Sequence, residues 1–378
     1  MLSLKSGMAR CCLVFWLLVL AAAAVPQERK PVQAAPSNDA KPAEQVYKNI
    51  RVLKGIPANE IIPGMQFVTA SLGVECGFCH VENQFEQDNK KPKQIARTMM
   101  QMEMAINANS FEHELKVTCN TCHRGSRTPV AIPAISDSPS SSPPEPETAA
   151  QSLPGADQLL AHYVQALGGA EAIGKIQTLK GTGSAEFNGR TFPVEVLSKV
   201  PGERVVITHL PDGDSVTGFD SIQGWILTPH RPVRALPSGE IEGARMDADP
   251  QFPLHIKGSF TELRPAPPET INGHVLNQVV AASEGQLRAR FYFDSQTSLL
   301  VRVIRYAKSP LGRNPTRIDY EDYRSVDGVQ MPFSWEVARP AGRFRVQLTD
   351  IRQNVAIDDS AFSLPSSAGS AASPANLQ

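Results

Sequence analysis

The residues of this chain best placed to do chemistry are two Cys-x-x-Cys-His pentapeptides, Cys76-Gly77-Phe78-Cys79-His80 and Cys119-Asn120-Thr121-Cys122-His123. From the chain's own content of 6 Cys and 8 His in 378 residues, chance would supply on the order of 0.002 such motifs. The pattern has a specific chemical reading. Two thiols separated by two residues span the two vinyl groups of a porphyrin and add across them, and the histidine that follows faces the iron. The predicted cofactors are therefore two c-type haems, attached through Cys76, Cys79, Cys119 and Cys122, with His80 and His123 as axial iron ligands.

Two other chemistries use paired cysteines. A zinc site built from four thiolates and a pair of disulfides in an exported protein are both consistent with this cysteine set. Both leave the histidines without a role. The 39 residues between Cys79 and Cys119 also exceed the ~15–20 of a zinc ribbon.

The opposite face of each iron needs a second ligand if the site is closed. Methionine thioethers are the candidates, since Met opposite His raises the reduction potential and suits one-electron transfer. Met65 lies eleven residues before the first motif, and Met99, Met100, Met102 and Met104 lie before the second. On the residues alone, a methionine stripe on a helix is equally a gap-filling core, so this choice stays open at this point.

Other sequence features bound what carries these motifs. Lys5 and Arg10, the apolar run from Cys11 to Leu20, and Ala22-Ala23-Ala24 predict a signal peptide over 1–24, its apolar stretch shorter than the ~20 residues that span a bilayer. The mature chain, with no transmembrane segment, is then expected in an oxidising compartment, the periplasm. The net charge of −1 gives no footing for nucleic acid. Pro- and Ser-rich stretches predict a flexible leader over 25–43, a linker over 131–154 and a disordered tail over 366–378. Two folded units are left, 44–130 and 155–365.

The first unit reads as helix and loop. Ile95, Met99, Met102 and Ile106 fall on one face of a helix over 93–107, and Pro57 to Leu72 suggests a second helix broken near Pro63. The second unit opens with an amphipathic helix, Ala156 to Leu167, stopped by Gly168. Strands follow at 192–199, 204–209, 223–228, 288–294, 299–306, 318–323, 329–338 and 343–351, with turn chemistry at Asp327-Gly328 and Pro340-Ala341-Gly342. The expected fold class is a multidomain chain: a mainly α dihaem unit, then an α+β unit with a large, curved antiparallel sheet (a half-barrel) and one or two helices.

Asn49-Ile-Arg-Val-Leu-Lys54, the helix with Met65, the first motif, Lys93 to Asn107 and Val117 to Gly125 together resemble the bound cytochrome subunit of the photosynthetic reaction centre. The resemblance covers roughly a quarter of the chain. It implies a methionine ligand from the helix before each motif: Met65 for the haem on His80, and Met99 for the haem on His123, with Met102 as the alternative. The family has four haems in two tandem pairs and this chain has one pair, so docking to a reaction centre is not implied. His113 falls where a family histidine serves a haem of the other pair, and is read here as a surface residue. More weakly, Gly218 to Trp225 and Val326 to Phe333 make the second unit similar to outer-membrane lipoprotein carrier and sorting proteins, whose concave face holds lipid.

The expected function is periplasmic electron transfer between a redox protein donor and acceptor, not enzymatic catalysis. The β-rich unit is expected to dock a partner or hold an acyl-chain or lipid ligand. A dihaem peroxidase with one vacant iron site, and an envelope lipid-handling protein whose haems sense redox state, are the rivals.

Overall fold

The computed structural model describes residues 41–129, 153–340 and 342–364. The expected signal peptide, most of the leader, most of the linker and the tail lie outside them. The helical part comprises α1 (Ala43–Val46), α2 (Ile61–Leu72), α3 (Lys91–Ser110) and α4 (Cys119–His123). Pro63 does not break α2 as the sequence suggested. It stands in the first turn, where its missing N–H is one of those without an intrahelical acceptor, and a 3-10 turn at Ala58–Glu60 leads in before it.

The β-rich part opens with α5 (Ala156–Ala166) and α6 (Ala170–Gly174). It continues through β1 (Thr178–Phe187), β2 (Arg190–Lys199), β3 (Glu203–Leu210), β4 (Gly213–Asp220), β5 (Gly224–Leu227) and β6 (Arg234–Ala235). Two further helices, α7 (Ile241–Ala248) and α8 (Phe252–Ser259), precede the remaining strands. These are β7 (Glu262–Ile271), β8 (His274–Ser283), β9 (Gln286–Asp294), β10 (Leu300–Ser309), β11 (Gly312–Val326), β12 (Val329–Arg339) and β13 (Gly342–Gln353). All thirteen strands form one antiparallel sheet, ordered β6-β5-β4-β3-β2-β1-β13-β12-β11-β10-β9-β8-β7. Among the described residues the module therefore carries four α-helices rather than the one or two expected.

Turn chemistry sets this order. Asn188-Gly189, Asn272-Gly273, Glu284-Gly285 and Asp327-Gly328 all have positive φ at both positions, the backbone that closes two-residue hairpins in register with the twist of a sheet. One face of the sheet is covered by helices. Leu159, Leu160 and Tyr163 of α5, with Ile173 and Ile256, pack on Phe291, Phe293, Leu300 and Val303 in the largest core.

The two parts are joined by more than a tether. The described residues belong to one compact unit, and the β10–β11 hairpin reaches into the helical part. Leu311 at its tip is 1% exposed and belongs to the same core as Ile61, Phe67 and Val68. Gly312 lies so close to Phe67 that a Cβ there would meet the ring at 2.2 Å. Asn314 donates to the Pro63 carbonyl at 3.0 Å, and the Glu60 carboxylate accepts from the Ser238 backbone N–H at 3.0 Å and from its hydroxyl.

Candidate haem-attachment sites

The first motif folds as a single tight turn. Cys76–Phe78 is 3-10, and the N–H groups of Cys79 and His80 both bond the Cys76 carbonyl, at 3.2 and 3.0 Å. The second is one helical turn, α4, opened by a reciprocal cap between Thr118 and Thr121 in which the Thr118 N–H bonds the Thr121 hydroxyl at 3.0 Å. Helical spacing puts Cys119, Cys122 and His123 on one side of that turn.

Both histidines are held in the same way. His80 Nδ1 lies 3.1 Å from the Phe85 carbonyl, and His123 Nδ1 lies 2.9 Å from the Ser126 carbonyl. A carbonyl can only accept, so Nδ1 carries the proton in each ring and the Nε2 lone pair is left for a metal. This is the outer-shell contact that orients metal-binding histidines. Partial burial, with Lys93, Arg97 and Lys90 nearby, holds the His80 pKa below the usual imidazole range against the opposing pull of its Phe85 bond.

The loop after the first motif is fastened by charge. Asp88 pairs with Lys93 at 3.0 Å, Arg97 at 2.9 Å and Arg51 at 3.3 Å, and accepts from Asn49 at 3.0 Å. The Arg97 and Lys93 hydrogen bonds hold its carboxyl far below the ordinary range. Lys93 also donates to the carbonyls of Phe85 and Gln87, each at 2.8 Å, fixing the acceptor that orients His80.

Asn107 plays the matching part at the second motif. It is 4% exposed, donates to the Val117 carbonyl at 2.7 Å, and accepts from the Lys116 and Val117 N–H groups at 3.1 and 2.9 Å. At Gly73, which ends α2 with φ +64°, a Cβ would meet the Gly125 carbonyl oxygen at 2.2 Å. The loop that closes the second motif thus rests on the helix that carries Met65, and the Gly125 N–H bonds the Ser71 carbonyl at 2.8 Å.

A cavity of about 480 Å³ collects Met65, Cys76, Cys79 and His80 on its walls, with Leu53, Ile61, Val68 and Met100 supplying apolar surface. Its size lies within the ~300–1,000 Å³ of cofactor and ligand pockets. Two thiols, an imidazole with a free lone pair and a thioether around one apolar space fit a covalently attached haem.

The second site has another character. The helix face picked out by periodicity, Ile95, Met99, Met102 and Ile106, is largely open: Ile95 is 49%, Met99 36% and Met102 47% exposed. The buried face of α3 is instead Lys93, Met100, Glu103 and Asn107. Cys119 reaches α3 at Glu103, its thiol donating to the carboxylate at 3.2 Å. Met99 stands one turn before that contact. Burial first, and then Glu103, push the Cys119 thiol up to about 12, and burial raises Glu103 and Cys79 as well. The four thiols are free, and among the described residues no three His, Cys, Asp or Glu side chains converge on a metal-ion position. A bare apolar stripe beside two thiols and an oriented imidazole fits a flat, apolar group laid across α3 and α4.

Residues 18–162 match the family model described as photosynthetic reaction centre cytochrome C subunit. That part of the chain resembles this family. The photosynthetic reaction center cytochrome c subunit of Thermochromatium tepidum is 34% identical over 109 residues, 27% of each chain, so the chain spans about a quarter of that relative's length. Among solved structures, a DUF1329 family protein from Desulfovibrio piger aligns at 14% identity over 56% of this chain and 98% of its own, with a TM-score of 0.40. A LolA superfamily protein from Nitrosomonas europaea aligns at 12% identity over 56% and 98%, with a TM-score of 0.37. No helix among the described residues is long and apolar enough to cross a membrane.

Sequence reasoning missed the residues that position the motifs: Asn107, Lys93, Asp88 and Glu103. A buried lysine and a buried asparagine inside an apolar-looking helix are a sign that the periodic face is not the packed one. That sign lies in the sequence only once the packing partner is known.

Proposed function

We propose that this chain is an exported electron carrier holding two c-type haems, attached through Cys76 and Cys79 with His80 as axial ligand, and through Cys119 and Cys122 with His123. The reading rests chiefly on one observation: in both motifs the histidine Nδ1 is committed to a backbone carbonyl 2.9–3.1 Å away, which puts the proton on Nδ1 and leaves the Nε2 lone pair free for a metal. Bound haem would supply one-electron chemistry without a gain or loss of protein atoms. Met65 shares the cavity with His80 and is assigned as the sixth ligand of the first site. Met99, one turn from the residue that touches Cys119, takes that role at the second, with Met102 the alternative.

The protein's work in this scheme is to hold and to exclude. Lys93 fixes the Phe85 carbonyl, which keeps the His80 ring from rotating. The apolar walls around Met65 lower the polarity beside the first site, which favours the less charged reduced state. The β-rich module holds an apolar ligand or docks the redox partner, and the compartment is the periplasm.

Mass spectrometry of the purified mature protein is the test. The expected result is a mass above the polypeptide by two haems, surviving acid-acetone extraction, with Cys119→Ala/Cys122→Ala losing one of them. Release of all porphyrin on extraction would end the proposal. Ready binding of carbon monoxide at both reduced irons would refute ligation by methionine and favour a peroxidase.

A further inference from the structure

Between the sheet and its covering helices lie two cavities of about 270 and 260 Å³ that share a wall of Arg204, Met246, Asp247, Arg305, Trp335 and Val337. Away from that wall the first cavity is mostly apolar, bounded by residues such as Leu179, Val196, Phe252, Ile318 and Leu348, with Ser198, Asp249 and Gln330 among its polar exceptions.

Apart from Arg204, each of the arginines on these walls is paired with a carboxylate. Arg305 pairs with Asp247 at 2.7 Å and donates to the Gly243 carbonyl at 2.6 Å. On the second cavity, Arg339 and Arg288 pair with Glu240 and Glu242, each at 3.4 Å. Asp249, on the first, is engaged by His255 at 2.6 Å. Arg204 differs. Its Nη1 donates to the Ser198 hydroxyl at 3.0 Å, a neutral acceptor, and the acid whose field reaches it, Asp247, is already taken by Arg305.

A guanidinium enclosed by protein without its own counter-charge is costly. Burial accordingly lowers its proton affinity. Arg204 is half-buried and lines both cavities. Arginine's planar fork of donors, most of them uncommitted here, suits a two-oxygen anion.

We propose that Arg204 is the head-group site for an anionic single-chain amphiphile, whose carboxylate or phosphate bonds the guanidinium while its alkyl chain fills the apolar cavity. The proposal rests on the reading of the β-rich module as a ligand holder and adds the chemical class of the ligand. One chain is favoured over two because the cavities together reach only the lower part of the ~300–1,000 Å³ range of ligand pockets.

The test uses the full mature protein and displacement of a fluorescent fatty acid by hexadecanoate, hexadecyl phosphate and hexadecanol. The wild type should prefer the anions over the alcohol by about tenfold or more, the factor of a charge-assisted hydrogen bond. Arg204→Met should abolish that preference, and Arg204→Gln, which keeps hydrogen-bond donors without the charge, should abolish it as well, which preserves the test if the methionine variant does not fold. Tighter hexadecanoate would identify a fatty acid and tighter hexadecyl phosphate a phospholipid-derived head, both within the proposal. Equal binding of alcohol and anions by the wild type, or an anion preference that survives Arg204→Met, would overturn the head-group assignment and leave a ligand-holding module standing. Failure of every probe to bind would overturn the ligand-holding reading itself.

Discussion

Leu311→Ala tests whether the helical and β-rich parts share a core. Leu311 caps the β10–β11 hairpin, is 1% exposed, and is surrounded by Ile61, Phe67 and Val68 from the other part of the chain. Truncating a buried leucine costs about 2–5 kcal/mol, depending on how far the site collapses. Collapse is restricted here, because Gly312 already lies against the Phe67 ring and Asn314 ties the hairpin to Pro63. The expected loss is therefore about 3–4 kcal/mol. With a urea slope of roughly 3 kcal/mol/M, the unfolding midpoint should fall by about 1 M. Two signals separate the parts: the haem absorbance reports the helices, and the tryptophans of the described residues, Trp225 and Trp335, both lie in strands of the sheet module. Both transitions should move together. An unmoved midpoint, or a shift in the tryptophan signal alone, would show that Leu311 is not part of a joint core.

Met65→His should shift one haem potential to more negative values by a fraction of the ~0.8 V that axial ligands span, and leave the other near its place; redox titration with two resolved steps reads this, and an unchanged pair of potentials would remove Met65 from the first site. Asp88 bears on acid stability. Its folded-state carboxyl is depressed by Arg97 and Lys93, so its contribution is present above the ordinary carboxylate range near ~4 and is lost as pH falls below it. Asp88→Asn should lower stability at neutral pH and flatten the acid limb of a denaturation midpoint plotted against pH, and an acid limb of unaltered slope would count against the charge clamp.

The parts of this molecule written in short-range chemistry were legible in its sequence. Paired thiols with a following histidine have few readings, and the strands from β9 to β13 alternate or run apolar between obvious turns. Asn188-Gly189 and Asn272-Gly273 carry equally local hairpin signals, and attention to them would have found β1, β7 and β8. Other features depend on what packs where. Three prolines, Pro265, Pro267 and Pro268, make β7 look unlike a strand, and they are tolerated because β7 is an edge. The stripe Ile95-Met99-Met102-Ile106 has core periodicity yet lies open, since the helix is fastened through Lys93, Glu103 and Asn107 instead. The seating of Leu311 in the helical core could not be read at all, because a Pro-Leu-Gly hairpin tip looks like any exposed turn until its receptor is folded.

The two borders of the sheet restrict how this protein can meet others. One border is β6, two residues long; the other is β7, where prolines remove backbone donors and Glu262, Arg264 and Glu269 put charge beside those that remain. An incoming extended segment would find almost no ladder to continue, and the molecule is protected against end-to-end stacking of its own sheets. Recognition by strand addition, the mode open to many exposed sheets, is thereby disfavoured. A redox partner of the proposed carrier would instead have to engage side chains, such as those of the helices that cover the sheet, and such contacts can be made and released at the pace that electron delivery requires.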